Sequence, residues 1–286
     1  MDKELKKRLE ITAAKVRLGI IEGVYNAKSG HPGGSLGFAD TLTYLYMARM
    51  NVSPDKTNEP DRDRFVLSKG HNAPVLYSVL AHRGFFPVDE LKTLRKIGSR
   101  LQGHPVMGKV PGVDYSTGSL GQGISGACGM ALAGKIDGAP YRVYTALGDG
   151  EIQEGQVWEA AMFAAHYGLD NLTAVVDNNN LQIDGPITEV MSPYPIDEKF
   201  KAFGWHVICI DGHDFEQIEA AFDEAEKISG KPVAIIQKTV KGKNVSFMEN
   251  KAEWHGAAPN DEQYKIAVSE LQARIDELEK EGTGNG

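Results

Sequence analysis

Gly148-Asp149-Gly150 and Asp177-Asn178-Asn179-Asn180 concentrate the chemistry-bearing residue types of this 286-residue sequence. Glycines at 148 and 150 let backbone approach a pyrophosphate, and a helix start just beyond them attracts anions. Asp149 and Asn179 offer hard oxygens to a divalent cation, which would complete its shell from a backbone carbonyl, phosphate and water. Taken alone, Gly-Asp-Gly is a common turn tripeptide. Position gives it weight. Each polar stretch closes a short apolar run, Tyr141–Leu147 (YRVYTAL) before the first and Leu172–Val176 (LTAVV) before the second. Between them Val157, Ala160, Ala161, Ala164 and Ala165 recur at helical spacing. The pattern predicts a strand–helix–strand unit with a right-handed parallel crossover. Both turns then lie at the carboxyl ends of neighbouring strands, where open α/β sheets bind ligands.

Histidine supplies the second set of candidates. Of the eight in the chain, His82, His166, His206 and His213 sit within or beside regular elements and read as structural or solvated. His31, His71, His104 and His255 differ, because each lies in a loop beside glycine, in SGHPG, SKGH, QGHP and WHG. Gly118-Ser119-Leu120-Gly121-Gln122-Gly123 leads into a small-residue helix, ISGACGMALAGK, whose backbone can approach another helix or a cofactor closely. Glu151 reads as solvated, and Glu154 and Glu159 as capping or surface carboxylates.

The elements that must position these residues follow from periodicity. Leu5, Leu9, Ala13, Val16 and Ile20 predict a helix over 3–27 that ends before Ser29-Gly30. Further helices are expected from Leu36 to about Met50, from near Asn72, over Asp89–Lys96 (short and exposed), Pro195–Phe203 and Phe215–Ile228, and over 261–281. Strands are expected at Arg64–Leu67 (RFVL), Trp205–Ile210 (WHVICI) and Val233–Gln237 (VAIIQ), besides the two above. Residues 100–117 and 238–254 read as loop, the latter polar, and the tip EGTGNG as disordered. Five strands alternating with helices predict an α/β fold: a single doubly wound, mainly parallel sheet with helices on both faces, in one domain spanning 1–286. No internal repeat or linker is evident.

Composition narrows the function classes. The chain is 41% hydrophobic and 24% charged, with mean hydropathy −0.32. No apolar run reaches the length of a bilayer span, and the basic start MDKELKKRLE lacks the apolar core of a secretory signal. Net charge of −8 without a basic stripe argues against nucleic acid as a partner. Cys128, in a helical pattern, and Cys209, in a strand pattern, read as small buried residues of a reducing cytoplasm.

Twenty-seven residues separate Gly150 from Asn178. That interval between GDG and NN resembles the thiamine diphosphate signature, and the flanking EIQEGQVWEA and LQIDG are similar to transketolases. The resemblance runs from about Arg17 to Pro259 and implies a diphosphate-binding domain. It implies that Asp149, Asn179 and the backbone of Leu181 hold Mg²⁺, with Ca²⁺ or Mn²⁺ as substitutes. The four loop histidines match four active-site histidines of that family. His71 would reach the cofactor diphosphate, together with Asp149, Gly150 and Asn179. His31 and His255 would face both cofactor and substrate hydroxyls, as the catalytic pair. His104 would contact the donor sugar. The backbone of Gly118, Ser119 and Leu120 would line the cofactor, and Glu154 and Glu159 would be buried glutamates near a subunit boundary, linking paired sites.

The family's carbanion is generated by a glutamate on a second, pyrimidine-binding domain, and its sugar-phosphate arginines lie there too. Only 31 residues follow His255, far short of a domain of roughly 100–150 residues. Met1 and the soft polar tail read as natural termini. The resemblance therefore implies the diphosphate-binding subunit of a split transketolase, moving a two-carbon ketol unit from a ketose to an aldose, usually as phosphates, as in the pentose phosphate pathway. A separate chain would supply the pyrimidine domain, two copies of each forming a heterotetramer, with self-association through surfaces flanking the Gly-rich helix. The alternatives are the α subunit of a 2-oxo acid dehydrogenase, which does not explain SGHPGGSLG, SKGH and GHP together, a deoxyxylulose-phosphate synthase, and a non-catalytic cofactor-binding subunit.

Overall fold

Helix α1 (Lys3–Ala27) begins where Asp2 caps it, the carboxylate accepting from Leu5 N at 2.7 Å. It stops where Lys28 turns left-handed at φ 51°, as the sequence predicts. These details come from a computed structural model that describes residues 1–280; the expected disorder of 281–286 lies outside the described residues. The helix predicted from Leu36 to about Met50 is divided instead. α2 (Pro32–Gly37) starts earlier because Pro32 suits a first-turn position, and Phe38 interrupts it before α3 (Ala39–Tyr44) and a π-type turn at Leu45–Arg49.

Beyond β1 (Arg64–Leu67) come α4 (Ala73–Arg83), α5 (Gly123–Asp137) and β2 (Val143–Gly148). α6 (Gly155–His166) crosses to β3 (Leu172–Asn178). A small antiparallel pair not foreseen in the sequence, β4 (Leu181–Gln182) and β5 (Gly185–Pro186), precedes α7 (Ile187–Val190) and α8 (Ile196–Ala202). The chain then forms β6 (His206–Asp211), α9 (Phe215–Lys227), β7 (Val233–Lys238) and α10 (Asp261–Lys280).

The main sheet has the order β1-β2-β3-β7-β6 and is parallel throughout. Alternate strand residues feed two cores. Phe65, Leu67, Tyr144, Ala146, Val175 and Ile235 pack with α1, α3, α4 and α9, whereas Val66, Val143, Leu147, Ala174, Val176 and Ile236 pack with α5, α6 and α8. Cover on both faces explains why the inner strands read as unbroken apolar runs.

Three local expectations change. Asp89–Lys96 forms a tight 3₁₀ segment, Val88–Thr93, with Leu91 buried, and Arg95 beyond it is left-handed at φ 59°. Cys128 is buried in α5 as expected, but Cys209 is exposed, because β6 is an edge strand with incomplete cover. The 238–254 segment is not simply polar, since Val245, Met248 and Trp254 anchor it in the core. Among the described residues no helix is long and apolar enough to cross a membrane.

Candidate functional site

Parallel strands bring their carboxyl ends to one edge, and this edge carries the polar turns. Lys69 and His71 after β1, Gly148–Gly150 at the end of β2, Asn179 after β3 and Lys241 after β7 line one cleft of about 340 Å³. That volume is within the range of small-molecule sites. The register Gly148↔Asp177 and Asn178↔Lys238 sets the turns level with one another.

A buried polar frame holds the floor. Lys69 Nζ meets Asp177 Oδ2 at 2.5 Å, and Thr239 Oγ1 donates to the other Asp177 oxygen. Glu151, expected to be solvated, is 2% exposed. The turn folds back over it. Its Oε1 accepts from Ser68 Oγ and from Gly121 N at 3.0 Å, and its Oε2 from Gly148 N at 3.0 Å. Burial pushes this carboxyl up, and those donors oppose the shift. Glu151 thereby ties the end of β1, the approach to α5 and the Gly-Asp-Gly turn into one unit.

Asp149 sits above this frame, 2% exposed, its Oδ2 accepting from Asn180 N at 2.6 Å and its Oδ1 from Gly150 N at 2.9 Å. Burial, and next the charge of Asp177, push its carboxyl up to about 7. Asn179 Oδ1 accepts from Leu181 N at 3.1 Å, and Leu181 O accepts from Lys241 Nζ at 3.1 Å. Each of these oxygens keeps lone-pair capacity. Among the described residues no three His, Cys, Asp or Glu side chains gather as a metal cluster. A cation here would therefore rest on one carboxylate and neutral oxygens, with the rest of its shell from a bound anion and water. That donor set suits a hard ion carried in with a diphosphate.

Sequence reasoning does not single out Lys241. It is 3% exposed, its ammonium lies 3.2 Å from His255 Nδ1, and burial lowers its pKa while Asp149 and Asp177 raise it. Its signal is legible in principle, as a lysine just past a strand end, the setting that also marks Ser68-Lys69.

The four loop histidines, far apart in sequence, gather together, His71 and His255 in the cleft lining and His31 and His104 beside them. Ring centroids of His31 lie 5.2 Å from His71, 5.5 Å from His255 and 6.4 Å from His104, and His71 stacks on His255 at 5.1 Å. Burial, then the nearby Arg95, holds His31 down to about 4; burial, then Lys241, does the same to His255. His71 and His104 are also lowered, chiefly by burial. These shifts favour the neutral form of all four rings at pH 7. Leu120 and Gly150 line the cleft, and Gly118, at φ 152°, abuts the His104 ring. Ser119 does not join them, being exposed outside the lining. Glu154 reaches the cleft rim without capping α6, and Glu159 lies on the exposed side of that helix, so neither is buried within this chain. The remaining histidines are structural or at the surface. His213 bridges Asp40 Oδ2 (2.7 Å) and Val240 N, His206 meets Glu224, His82 meets Ser78 O, and His166 is exposed.

Residues 9–274 match a family model described as "Transketolase, thiamine diphosphate binding domain". The chain is similar to an apulose-4-phosphate transketolase subunit of Phocaeicola vulgatus, 46% identical over 276 residues, covering 96% of this chain and 98% of that one. It is 45% identical over 264 residues to the 6-deoxy-6-sulfo-D-fructose transketolase subunit SqwG of Clostridium sp. (strain MSTE9), covering 92% of this chain and 96% of that one. Among solved structures, the transketolase of Campylobacter jejuni superposes with a TM-score of 0.87 at 32% identity, over 97% of this chain and 46% of that chain. The chain likewise spans 44% of the length of the mammalian transketolases it matches.

Proposed function

This chain belongs to the transketolase thiamine diphosphate-binding domain family, and from that premise we propose that it is the diphosphate- and metal-binding subunit of a two-chain transketolase. A chain that covers nearly the whole of two relatives themselves named as subunits is expected to work with a complementary subunit. The observation that carries the reading is the meeting of Asp149, Asn179, Leu181 and Lys241 with His71 and His255 around one cleft, with the His31 ring against both of those rings. A 2-oxo acid dehydrogenase α subunit would share the metal-binding turns, but the family match and the relatives favour a transketolase.

Bound thiamine diphosphate supplies the nucleophilic carbon that takes up the two-carbon ketol unit and passes it on. The protein's part is to hold and orient. Asp149, the Asn179 amide and the Leu181 carbonyl would take Mg²⁺, and Lys241 and His71 would face the diphosphate oxygens. Gly150 and the backbone of Gly118 and Leu120 would lie beside the cofactor. His31 and His255 would bind substrate oxygens next to the reacting carbon, and His104 the far side of the donor. Because the four rings are neutral, each can donate one hydrogen bond without presenting a fixed charge. The relatives named for a phosphorylated and a sulfonated sugar suggest a ketose with an anionic end as donor. The cytoplasm is the expected compartment, and the pentose phosphate reactions the expected chemistry.

Titration of thiamine diphosphate and Mg²⁺ into the complex of this chain with its complementary subunit, followed by tryptophan fluorescence, tests the metal assignment. Asp149→Ala removes the one carboxylate of the proposed ligand set and should weaken Mg²⁺-dependent cofactor binding by about 100-fold or more. Unchanged affinity would mean that this turn does not hold the metal.

A further inference from the structure

His31 stands against His71 and His255 at the position just before α2, where its ring makes no capping bond and its carbonyl accepts from Ser35 Oγ at 2.8 Å. The ring nitrogen Nδ1 faces Arg95 Nη2 at 3.4 Å. A guanidinium stays charged and offers only donors, so the nitrogen opposite it must be an acceptor. A neutral imidazole with Nδ1 bare carries its proton on Nε2. Arg95 is fixed in this pose from several sides. Its Nη1 donates to Ser29 Oγ at 3.0 Å, its backbone N donates to Leu101 O at 2.8 Å, and its φ is 59°. Gly103 lies so close that an added Cβ would fall 2.9 Å from the guanidinium carbon. Among the described residues no carboxylate pairs with Arg95.

We propose that Arg95 is a positioning residue that locks His31 as its Nε2–H tautomer, so that this ring meets the substrate as a hydrogen-bond donor and not as a proton acceptor. The groups facing His31 are Arg95, the Lys241 ammonium and the rings of His71, His104 and His255, none of which supplies a negative charge to stabilise an imidazolium. A neutral Nε2–H can stabilise negative charge developing on a ketol oxygen without surrendering its proton. The base that takes the donor's hydroxyl proton then has to be another group. The substrate side of this inference rests on the transketolase reading; the tautomer does not.

The test is a long-range proton–nitrogen correlation spectrum of the chain carrying isotope-labelled histidine, recorded near neutral pH, with His31→Asn identifying the His31 signals. Native His31 should show Nδ1 as a bare imine nitrogen and Nε2 protonated. Arg95→Met should give a mixture of tautomers and move the titration midpoint of His31 up from about 4 towards the ordinary ~6.5. A native His31 protonated on Nδ1 overturns the proposal whatever the variant does. So does a folded Arg95→Met protein that keeps the native pattern and midpoint. No sugar or second subunit is present, so an error in the substrate class leaves these spectra unchanged, while a wrong tautomer is exposed even if the enzyme is a transketolase.

Discussion

The four cleft histidines differ in what holds them, and the difference sets separate expectations. His71 lies in the cleft lining beside Asp149 and Lys241, whereas His104 stands farther out against Gly118. His71→Ala should therefore weaken cofactor binding in the reconstituted enzyme, by about 10-fold, with little change in relative donor preference, as loss of one charge-assisted contact predicts. His104→Ala should do the reverse, raising KM for donor ketose while cofactor affinity holds. Cofactor titrations run beside donor saturation curves separate the two, and equal loss of cofactor in both variants would merge their roles. The pH response needs a difference measurement, because neighbours pull in opposite directions. His255 is depressed to about 4, so the unfolded chain takes up its proton first and the contribution of this ring to stability is lost as pH falls from about 6.5 through 4. Asp149, raised to about 7, favours the folded state as pH falls over the same span. Comparing urea unfolding of the native chain with His255→Gln cancels the carboxylates. Relative to the variant, the native chain should lose about 1–2 kcal/mol between those pH values once partial exposure is discounted, and a pH-independent difference would contradict the neutral-ring picture.

Elements bring the distant motifs together, and α5 is the one whose position is most tightly constrained. Its first residue, Gly123, lies against the end of β1 so closely that an added Cβ would fall 2.6 Å from Ser68 Cα. The contact is with backbone and cannot be relieved by a rotamer change, so Gly123→Ala should cost about 1–3 kcal/mol. Thermal unfolding would register this as a drop of roughly 2–4 °C per kcal/mol for a chain of this size. Strain there should also disturb Glu151, which bonds Ser68 and Gly121 on either side of the contact. Much of this architecture is readable in the sequence. β1 and α1 are legible because an apolar run with polar punctuation, and an apolar helical face that stops before Ser29-Gly30, are local signals. The polar edge is readable because Ser68-Lys69-Gly70-His71, Gly148-Asp149-Gly150 and Asp177–Asn180 each sit at a strand end. What escapes is set by tertiary packing. The β4–β5 pair has two residues per strand and no periodicity to detect. Burial of Glu151 arises from three donors that converge only on folding, and the left-handed Arg95 has no sequence mark such as glycine.

At the scale of the whole molecule, exposed apolar side chains stand on α5 and α6 and at the cleft mouth. On α5 and α6, Phe163 is exposed at a hollow that it lines with Ser125, Cys128 and Glu159, and Ile136 and Met162 are exposed on the same two helices. At the cleft mouth, Ile183 and Met191 are 65% and 62% exposed on the segment that carries Leu181 and β5. Exposed apolar groups clustered in this way mark interaction surfaces. The α5–α6 face includes the Gly-rich helix and is the expected contact between two copies of this chain. The cleft mouth is where a chain completing the cofactor site would have to lie. Both faces of the sheet are already covered, so this chain should fold without help. Under the proposed two-chain reading, folding alone should not give turnover, because the base-forming glutamate would come from the complementary subunit. Mixing the two chains should restore ketol transfer and give a species with two copies of each. Phe163→Glu should break the contact between like copies, and Met191→Asp should weaken capture of the complementary chain by about 10-fold or more while leaving self-association intact, since each places an unpaired charge in a desolvated contact. Sedimentation of the mixtures, run beside a coupled assay for aldehyde transfer, reads both effects. Turnover by this chain alone, at a rate the complementary subunit does not raise, would overturn the two-chain assignment. Loss of both contacts in either variant would mean that one surface serves both.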